Sequence, residues 1–253
     1  MKIHLFSILF FIAIIIAGGC LNKRSSGKKE VGMNSDTIGT PDSVVKYFSN
    51  QLLLKEVAFK NGVRNGLTKT YYPGGQLYQT FWYVNDLKED SATWYYTEGQ
   101  VFRTTPYKRD TVDGTQRQYY RTGEIRAKIG YSKGLRTTLF QEFNKNGKLV
   151  KEYPQIIFET VDEYKNSDRY KINLSLSDSS KRVKFYKGEF TDNRFDTAKC
   201  QVIRTLNGKA SLILKKAGVP AKNYVGIIGE ITTLMGNRYL TYKKIDLPYN
   251  DLK

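Results

Sequence analysis

A repeat with a period of 24 residues is the feature that most constrains how this chain can fold. In its clearest copy, Tyr71 and Tyr72 are followed by Gly75 and Leu77. The pattern returns without a slip at Tyr95-Tyr96 with Gly99 and Val101, at Tyr119-Tyr120 with Gly123 and Ile125, more weakly at Phe143 with Gly147 and Leu149, and in decayed form at Tyr47-Phe48 with Gln51 and Leu53. Such a period predicts an array of similar supersecondary units along the chain.

The positions that recur in each repeat are typical of two short antiparallel strands joined by tight turns. The glycine that follows each aromatic pair can adopt the positive φ that a hairpin turn needs. A second turn in every unit is indicated at Asn61-Gly62, Asn85-Asp86, Arg109-Asp110 and Lys133-Gly134. Copies placed side by side predict one antiparallel meander over residues 44–153, in which each copy buries its side chains against its neighbours.

The tyrosine pairs are the candidate binding residues of this array. Adjacent side chains on a strand point to opposite faces, so one tyrosine of each pair should pack and the other should stand on the opposite face. Two interpretations follow: both tyrosines hold a thin sheet together, or they form a ladder that binds glycan, peptide or lipid headgroup, because tyrosine is common at binding surfaces. The candidates are Tyr71, Tyr72, Tyr95, Tyr96, Tyr119 and Tyr120.

These repeats resemble the MORN repeat, in the short variant YY-x-x-G-x-L that is common in bacterial proteins. The resemblance extends over residues 47–153 and implies an antiparallel β fold with a scaffolding role toward proteins or membranes. The chain departs from the pattern at Asp86 and Asp110, where glycine is expected, and at Asn144, which stands in place of the second tyrosine.

The first twenty residues are typical of a targeting signal. Residues 5–17 form an apolar run of 13 residues, which is shorter than the ~20 that a membrane span needs. The small residues 17–19 directly before Cys20 resemble a bacterial lipobox. That resemblance implies a signal peptide over 1–19 and a lipoprotein that is anchored in the membrane through acylated Cys20, with palmitate among its chains. The alternative is ordinary secretion with Cys20 as an incidental residue.

Residues 20–43 are polar and without periodicity, which predicts a flexible tether between the anchor and the folded part. Leu21, and not Asp, follows the cysteine, which fits sorting to the outer membrane in families that use that rule. The basic residues after Cys20 lack the acidic signature of surface export, which favours the periplasmic face. With Cys20 acylated, Cys200 is expected to be a packed small side chain without a redox role.

Composition argues against most enzymes. The chain contains one histidine, His4, within the targeting segment, and two cysteines, so neither a Ser-His-Asp system nor a zinc cluster can be built in the mature protein. A carboxylate pair of the glycosidase type stays open, but Asp86, Glu89 and Asp90 are better explained as turn residues. The sequence therefore predicts a protein that is not an enzyme, with no cofactor, no metal site and no small-molecule substrate.

The second half predicts a different all-β structure. Residues 154–169 are expected to be a linker, with a short turn of helix around 160–165. Residues 170–253 should then form a small β-sandwich-like domain, with a half-open barrel as the alternative. Its strands are predicted at 170–177, 182–190, 199–205, 210–214, 224–234 and 238–247.

Two functional hypotheses remain after these exclusions. The first is an envelope lipoprotein that acts as an adaptor or scaffold for a protein partner. The alternative is a binding module for an anionic envelope polymer, glycan or lipid surface. The formal net charge of +17 suits the second, but residues 47–153 and 154–253 each carry a net charge of +7. Because a nucleic-acid binder usually concentrates its charge in one patch, nucleic acid is not expected as a partner.

Overall fold

The computed structural model describes residues 41–253, and over these residues the chain is nearly all β, as the sequence predicts. The predicted antiparallel meander is confirmed as the main part of a single 11-stranded sheet, which we call the ribbon. Its consecutive strands are β1 (Ser43–Ser49), β2 (Leu52–Lys60), β3 (Val63–Tyr71), β4 (Leu77–Val84), β5 (Leu87–Tyr95), β6 (Val101–Lys108), β7 (Thr111–Val112), β8 (Gly114–Tyr119), β9 (Ile125–Ser132) and β10 (Leu135–Glu142).

The same hairpin turn closes the four repeats that follow the decayed first copy. After β3, the Tyr72 N–H donates to the Gln76 carbonyl at 2.8 Å, and the Gly75 N–H donates to the Tyr72 carbonyl at 2.9 Å. Gly75 has φ +83°, a conformation that a residue with a side chain rarely adopts. Equivalent hydrogen-bond pairs close the turns that begin at Tyr96, Tyr120 and Asn144. The glycine therefore recurs every 24 residues because the backbone of this turn requires a positive φ at that position.

The remaining strands form two four-stranded sheets in the orders β11-β12-β17-β16 and β15-β13-β18-β19. We call this region the sandwich. Its elements are β11 (Ile156–Glu163), helix α1 (Tyr164–Ser167), β12 (Arg169–Leu176), β13 (Val183–Lys187), a 3-10 turn (Thr197–Lys199), β15 (Gln201–Ile203), β16 (Thr205–Leu206), β17 (Lys209–Lys215), β18 (Tyr224–Thr232) and β19 (Arg238–Asp246). Strand β14 (Arg194–Phe195) lies in the same stretch of chain but belongs to the ribbon sheet.

Alternation of apolar residues builds the core of the sandwich. Every second residue of β12 is buried, from Tyr170 to Leu176, and β17 follows the same rule. These side chains meet Phe185 of β13 and Ile227 of β18, both fully buried, in one apolar cluster. Burial of each large side chain contributes about 1.5–3 kcal/mol, so this core dominates the stability of the region.

The linker prediction for 154–169 is wrong. Residues Ile156–Glu163 form strand β11, which pairs with β12 along its whole length. Only Ile156 of this strand is buried, because β11 is an edge strand that packs little of its surface. Backbone pairing therefore defines a strand whose side chains carry no apolar alternation. The helical turn covers Tyr164–Ser167, four residues later than expected.

Two further corrections concern the middle of the second half. The single strand predicted at 199–205 is divided into the end of the 3-10 turn, β15 and the start of β16. The two-residue strand β14 was not predicted, and it pairs with β10 of the ribbon. It ends the ribbon sheet at that edge, and this long-range pairing has no local sequence signal.

A buried polar cluster joins the ribbon to the hairpin loop 233–237 between β18 and β19. Glu142, at the end of β10, is 2% exposed. Its Oε1 accepts hydrogen bonds from Thr233 Oγ1 at 2.8 Å and from Asn237 Nδ2 at 2.7 Å. Gln118 Nε2 of β8 donates to Asn237 Oδ1 at 2.8 Å. We call these four residues the latch, because they fix one end of the ribbon to the sandwich.

Candidate functional site

The second tyrosine of each pair is a staple between neighbouring repeats. Tyr72 donates its hydroxyl hydrogen to the carbonyl of Tyr95 at 2.8 Å, and Tyr96 does the same to Tyr119 at 2.9 Å. Tyr120 donates to the carbonyl of Phe143 at 2.7 Å. Each staple joins positions 23 residues apart, and a hydrogen bond of this kind stabilises by about 1 kcal/mol. Tyr72, Tyr96 and Tyr120 therefore have a structural task in the ribbon.

The first tyrosines of the pairs, Tyr71, Tyr95 and Tyr119, lie at the strand ends and are half-buried. Tyr71 donates to Glu56 Oε2 at 2.8 Å. Burial, together with this carboxylate, raises the pKa of Tyr71 to about 12. These residues recur on every second strand, so they form a row on one face of the ribbon, which we call the tyrosine face. Their role in binding stays a prediction.

A row of polar residues runs parallel to these tyrosines on the same face, one residue per strand. It contains Lys46, Glu56, Lys69, Thr80, Thr93, Thr104, Arg117, Lys128 and Gln141, each directly opposite the next. Glu56 forms ion pairs with both of its neighbours, at 3.3 Å to Lys46 and 3.7 Å to Lys69. One carboxylate therefore offsets part of the charge of two lysines at the β1 end of the row.

The opposite face is lined by aromatic rings covered by cations. The Arg64 guanidinium lies 4.3 Å from the centre of the Tyr83 ring, and the Arg103 guanidinium lies 3.9 Å from that of Trp94. Lys88 Nζ lies 5.3 Å from the Phe81 ring centre. Such contacts cover apolar surface in a sheet that has a single layer. This face is thus the nearest equivalent of a core in the ribbon.

Asp86 and Asp110, which replace the expected glycines, bind the repeat before them. Asp86 Oδ1 accepts from the backbone N–H of Arg64 at 2.9 Å and from its Nε at 2.8 Å. Asp110 Oδ1 accepts from the backbone N–H of Lys88 at 2.9 Å. The side-chain hydrogen bond from Arg64 lowers the pKa of Asp86. Their role is turn chemistry, in line with the interpretation of the acidic cluster around Asp86.

Among residues 41–253, the ribbon is open at the β1 edge. Within this part of the chain, strand β1 pairs only with β2, and all seven of its residues are exposed. Four are large and apolar: Val44, Val45, Tyr47 and Phe48, with Phe48 60% exposed. Natural edge strands are usually short, charged or covered, because a free row of backbone donors and acceptors pairs readily with another strand. Lys46 is the only charged residue within β1.

The sandwich region contains several cavities. One of about 280 Å³ lies beside the latch and is lined by Tyr153, Pro154, Arg182, Ile231 and Leu234, among others. Within residues 41–253, no group of three or more His, Cys, Asp or Glu side chains is placed to hold a metal ion. Over the same part of the chain, no helix is long and apolar enough to cross a membrane.

The structure describes one of the two cysteines, Cys200. Cys20, together with the predicted signal peptide and most of the tether, lies outside the described residues. Cys200 is a free thiol that packs against the apolar cluster of Tyr186, Phe195, Ile228 and Leu240. Burial raises the pKa of the Cys200 thiol, so it is a weak nucleophile. This is the packed role expected from sequence.

Two segments of the ribbon match a known protein family. Residues 64–85 and 112–133 match the MORN repeat variant. The ribbon carries MORN-type repeats. The two matched segments begin 48 residues apart, which is two periods, so the intervening copy falls in the same register. No curated protein matches the chain. The family resemblance is therefore confirmed for these two segments, and the bacterial origin and the lipoprotein signal stay predictions.

Sequence reasoning did not single out β1 as an open edge, nor Arg117 and Lys128 as a pair. The apolar residues of β1 were visible, but which strand lies at an edge depends on the complete sheet order. Arg117 and Lys128 are 11 residues apart, and only the strand register places them opposite each other. The signal available in the sequence was the 24-residue register, which relates Lys128 to Glu56 three periods earlier.

Proposed function

We propose that this chain is a non-catalytic adaptor of the cell envelope that binds an extended segment of a partner protein at its open ribbon edge. The observation that carries this proposal is strand β1, which, within residues 41–253, is exposed along its whole length and has one neighbouring strand. Addition of a strand at a sheet edge is a common mode of peptide recognition, in which backbone hydrogen bonds supply affinity.

The chemistry of β1 defines the segment that it would accept. Val44, Val45, Tyr47 and Phe48 offer apolar side chains on both faces of the strand. Lys46 shares Glu56 with Lys69, so this end of the ribbon has more cations than anions. A partner strand with alternating apolar residues and a carboxylate opposite Lys46 would complement this edge. The staples and the latch keep the remainder of the ribbon rigid while one edge stays available.

The location belongs to the same proposal. Acylation of Cys20 would anchor the chain in a membrane, with residues 20–43 as the tether, and the folded part would face the periplasm from the outer membrane. Resident cofactors and small-molecule substrates have no part in this function. The excess of positive charge also supports a second candidate, binding of an anionic polymer, for which a specific pair of residues is argued below.

The test uses the full chain with a C-terminal tag, purified from crosslinked and detergent-solubilised cells. A Cys20→Ala variant shows whether capture depends on the anchor. The decisive variant is Phe48→Lys, which places a charge in β1. We expect a stoichiometric partner to copurify with the wild type and to fall at least about tenfold with Phe48→Lys, because a charged edge strand resists pairing.

The matched control is Ile157→Lys, which places the same charge on β11, an exposed edge strand of a different sheet. Ile157 is 48% exposed, comparable to Phe48. Equal recovery of the partner with Phe48→Lys and wild type would exclude β1 as the site. Loss with both variants would assign the interaction to nonspecific apolar contact. Circular dichroism of each variant verifies that the fold is retained.

A further inference from the structure

The tyrosine face contains two cations that oppose each other directly. Arg117 of β8 and Lys128 of β9 are cross-strand partners, so their side chains lie on the same face of the ribbon. Residues in such a pair have Cβ atoms about 4.5–5.5 Å apart, and like charges at this position are destabilising. Arg117 is exposed and Lys128 is half-buried. Neither forms an ion pair with a carboxylate of residues 41–253.

The first repeat shows how the same row is neutralised elsewhere. Glu56 occupies the position three periods before Lys128, and Lys69 occupies the position two periods before Arg117. There, Glu56 and Lys69 form an ion pair at 3.7 Å. Replacement of the carboxylate by Lys128 converts an ion pair into two facing cations, and no carboxylate of residues 41–253 forms an ion pair with either of them.

Hydrogen-bond donors continue the row on both sides. Thr104 lies opposite Arg117 on β6, and Gln141 lies opposite Lys128 on β10. Four adjacent strands thus present a hydroxyl, a guanidinium, an ammonium and an amide in sequence. Two residues further along their strands, Tyr119 and Phe143 lie on the same face, and Lys128 Nζ lies 5.6 Å from the centre of the Phe143 ring. The donors are therefore grouped beside an aromatic surface.

We infer that Arg117 and Lys128 form an anion-binding site for a phosphate group. The guanidinium fork matches two oxygens of a phosphate, and the ammonium supplies a second positive charge to a third oxygen. Thr104 and Gln141 donate to the oxygens that remain. Binding removes the like-charge repulsion between Arg117 and Lys128. This site is independent of the β1 edge, so failure of one proposal leaves the other intact.

The experiment titrates inorganic phosphate into the detergent-solubilised full chain in chloride buffer, by isothermal calorimetry. Variants are Arg117→Gln and Lys128→Gln, with Lys69→Gln as the matched control in the same row. We expect each of the first two to weaken phosphate binding about tenfold, the loss of one charge-assisted hydrogen bond. Lys69→Gln should change the dissociation constant less than about twofold, because Glu56 already neutralises Lys69.

Equal weakening by all three variants would overturn the site, since the effect would then come from the net charge alone. Absence of phosphate binding by the wild type in every arm would overturn it as well. Two further probes distinguish the source of the phosphate group: polyphosphate in solution, and vesicles of phosphatidylglycerol against phosphatidylcholine alone. Binding that depends on Arg117 and Lys128 with vesicles only assigns a lipid headgroup, and with polyphosphate assigns a soluble polymer.

Discussion

The ribbon and the sandwich are both antiparallel β structures, yet different interactions stabilise them. The main cluster of the sandwich unites 17 buried residues, from Ile156 to Leu252. The ribbon, from β1 to β10, buries only seven apolar residues, and three of these are alanines. A single sheet has no second layer to pack on, so the ribbon depends on staples, turn carboxylates and rings covered by cations.

This difference predicts which substitutions each region tolerates. In the sandwich, stability lies in a few large side chains that contact many neighbours. In the ribbon it is divided among many small, repeated contacts, as expected for repeat proteins. Both tryptophans of the chain, Trp82 and Trp94, lie in the ribbon, so tryptophan fluorescence follows the ribbon while far-ultraviolet circular dichroism follows both regions.

The largest effect is expected from the core of the sandwich. Phe185 is fully buried, and Phe185→Ala should lower the free energy of unfolding by about 3–5 kcal/mol through lost burial and a cavity. Phe102→Ala, at a half-buried ring that lies edge-on to Tyr96 at 5.2 Å, should cost about 1–2 kcal/mol. Urea unfolding measures both. Equal costs would refute the proposed contrast between the two regions.

The latch determines whether the two regions unfold together. Glu142→Ala leaves Thr233 and Asn237 with unpaired polar groups and should cost about 2–3 kcal/mol. We expect fluorescence and circular dichroism to report one transition for the wild type and two separate transitions for the variant. The exposed Glu152→Ala serves as the control. Coincident transitions in the Glu142 variant would mean that other contacts couple the regions.

A smaller effect is expected from one staple. Tyr96→Phe removes the hydroxyl that bonds the carbonyl of Tyr119 and should cost about 1 kcal/mol. Adding Tyr72→Phe should give a nearly additive loss, because the two staples share no partner. Tyr78→Phe, which removes an exposed hydroxyl, is the matched control. A fluorescence-detected midpoint that is unchanged in the double variant would remove the staples from this account.

The smallest expected effect is a pH dependence of the stability that Asp86 contributes. The hydrogen bond from Arg64 places the folded pKa of Asp86 below its ordinary value of 3.8. The stabilisation by Asp86 is therefore fully present above that value and is lost as the pH falls through the folded pKa. The difference in stability between wild type and Asp86→Asn should be constant above about pH 5 and shrink below about pH 4. A difference that is flat down to pH 2 would exclude this carboxylate as the cause.

Much of the fold could be predicted from local patterns, and the failures have one cause. The repeat register, the turn glycines and most strands of the second half follow from short-range sequence. Strand β11 was missed because its edge position removes the apolar alternation, and β14 because its partner lies in the ribbon. Edge position and remote pairing are properties of the complete sheet order.

The candidate site divides in the same way. Periodicity identified the six tyrosines as candidates. It did not predict that Tyr72, Tyr96 and Tyr120 are staples while the other three form a row. Simple alternation fails here, because a register shift occurs at each of these strand ends, as between Thr70 and Tyr71. The second tyrosine therefore lies beside the turn, where its hydroxyl reaches a backbone carbonyl of the next repeat.

The sequence by itself determined the period, the turn chemistry and the all-β class, because these depend on contacts between residues close in the chain or one period apart. The tertiary structure alone decided which edge is open, which polar group is buried at the latch and which two cations face each other. Those features depend on the order and register of strands, where a shift of one residue moves every side chain to the other face.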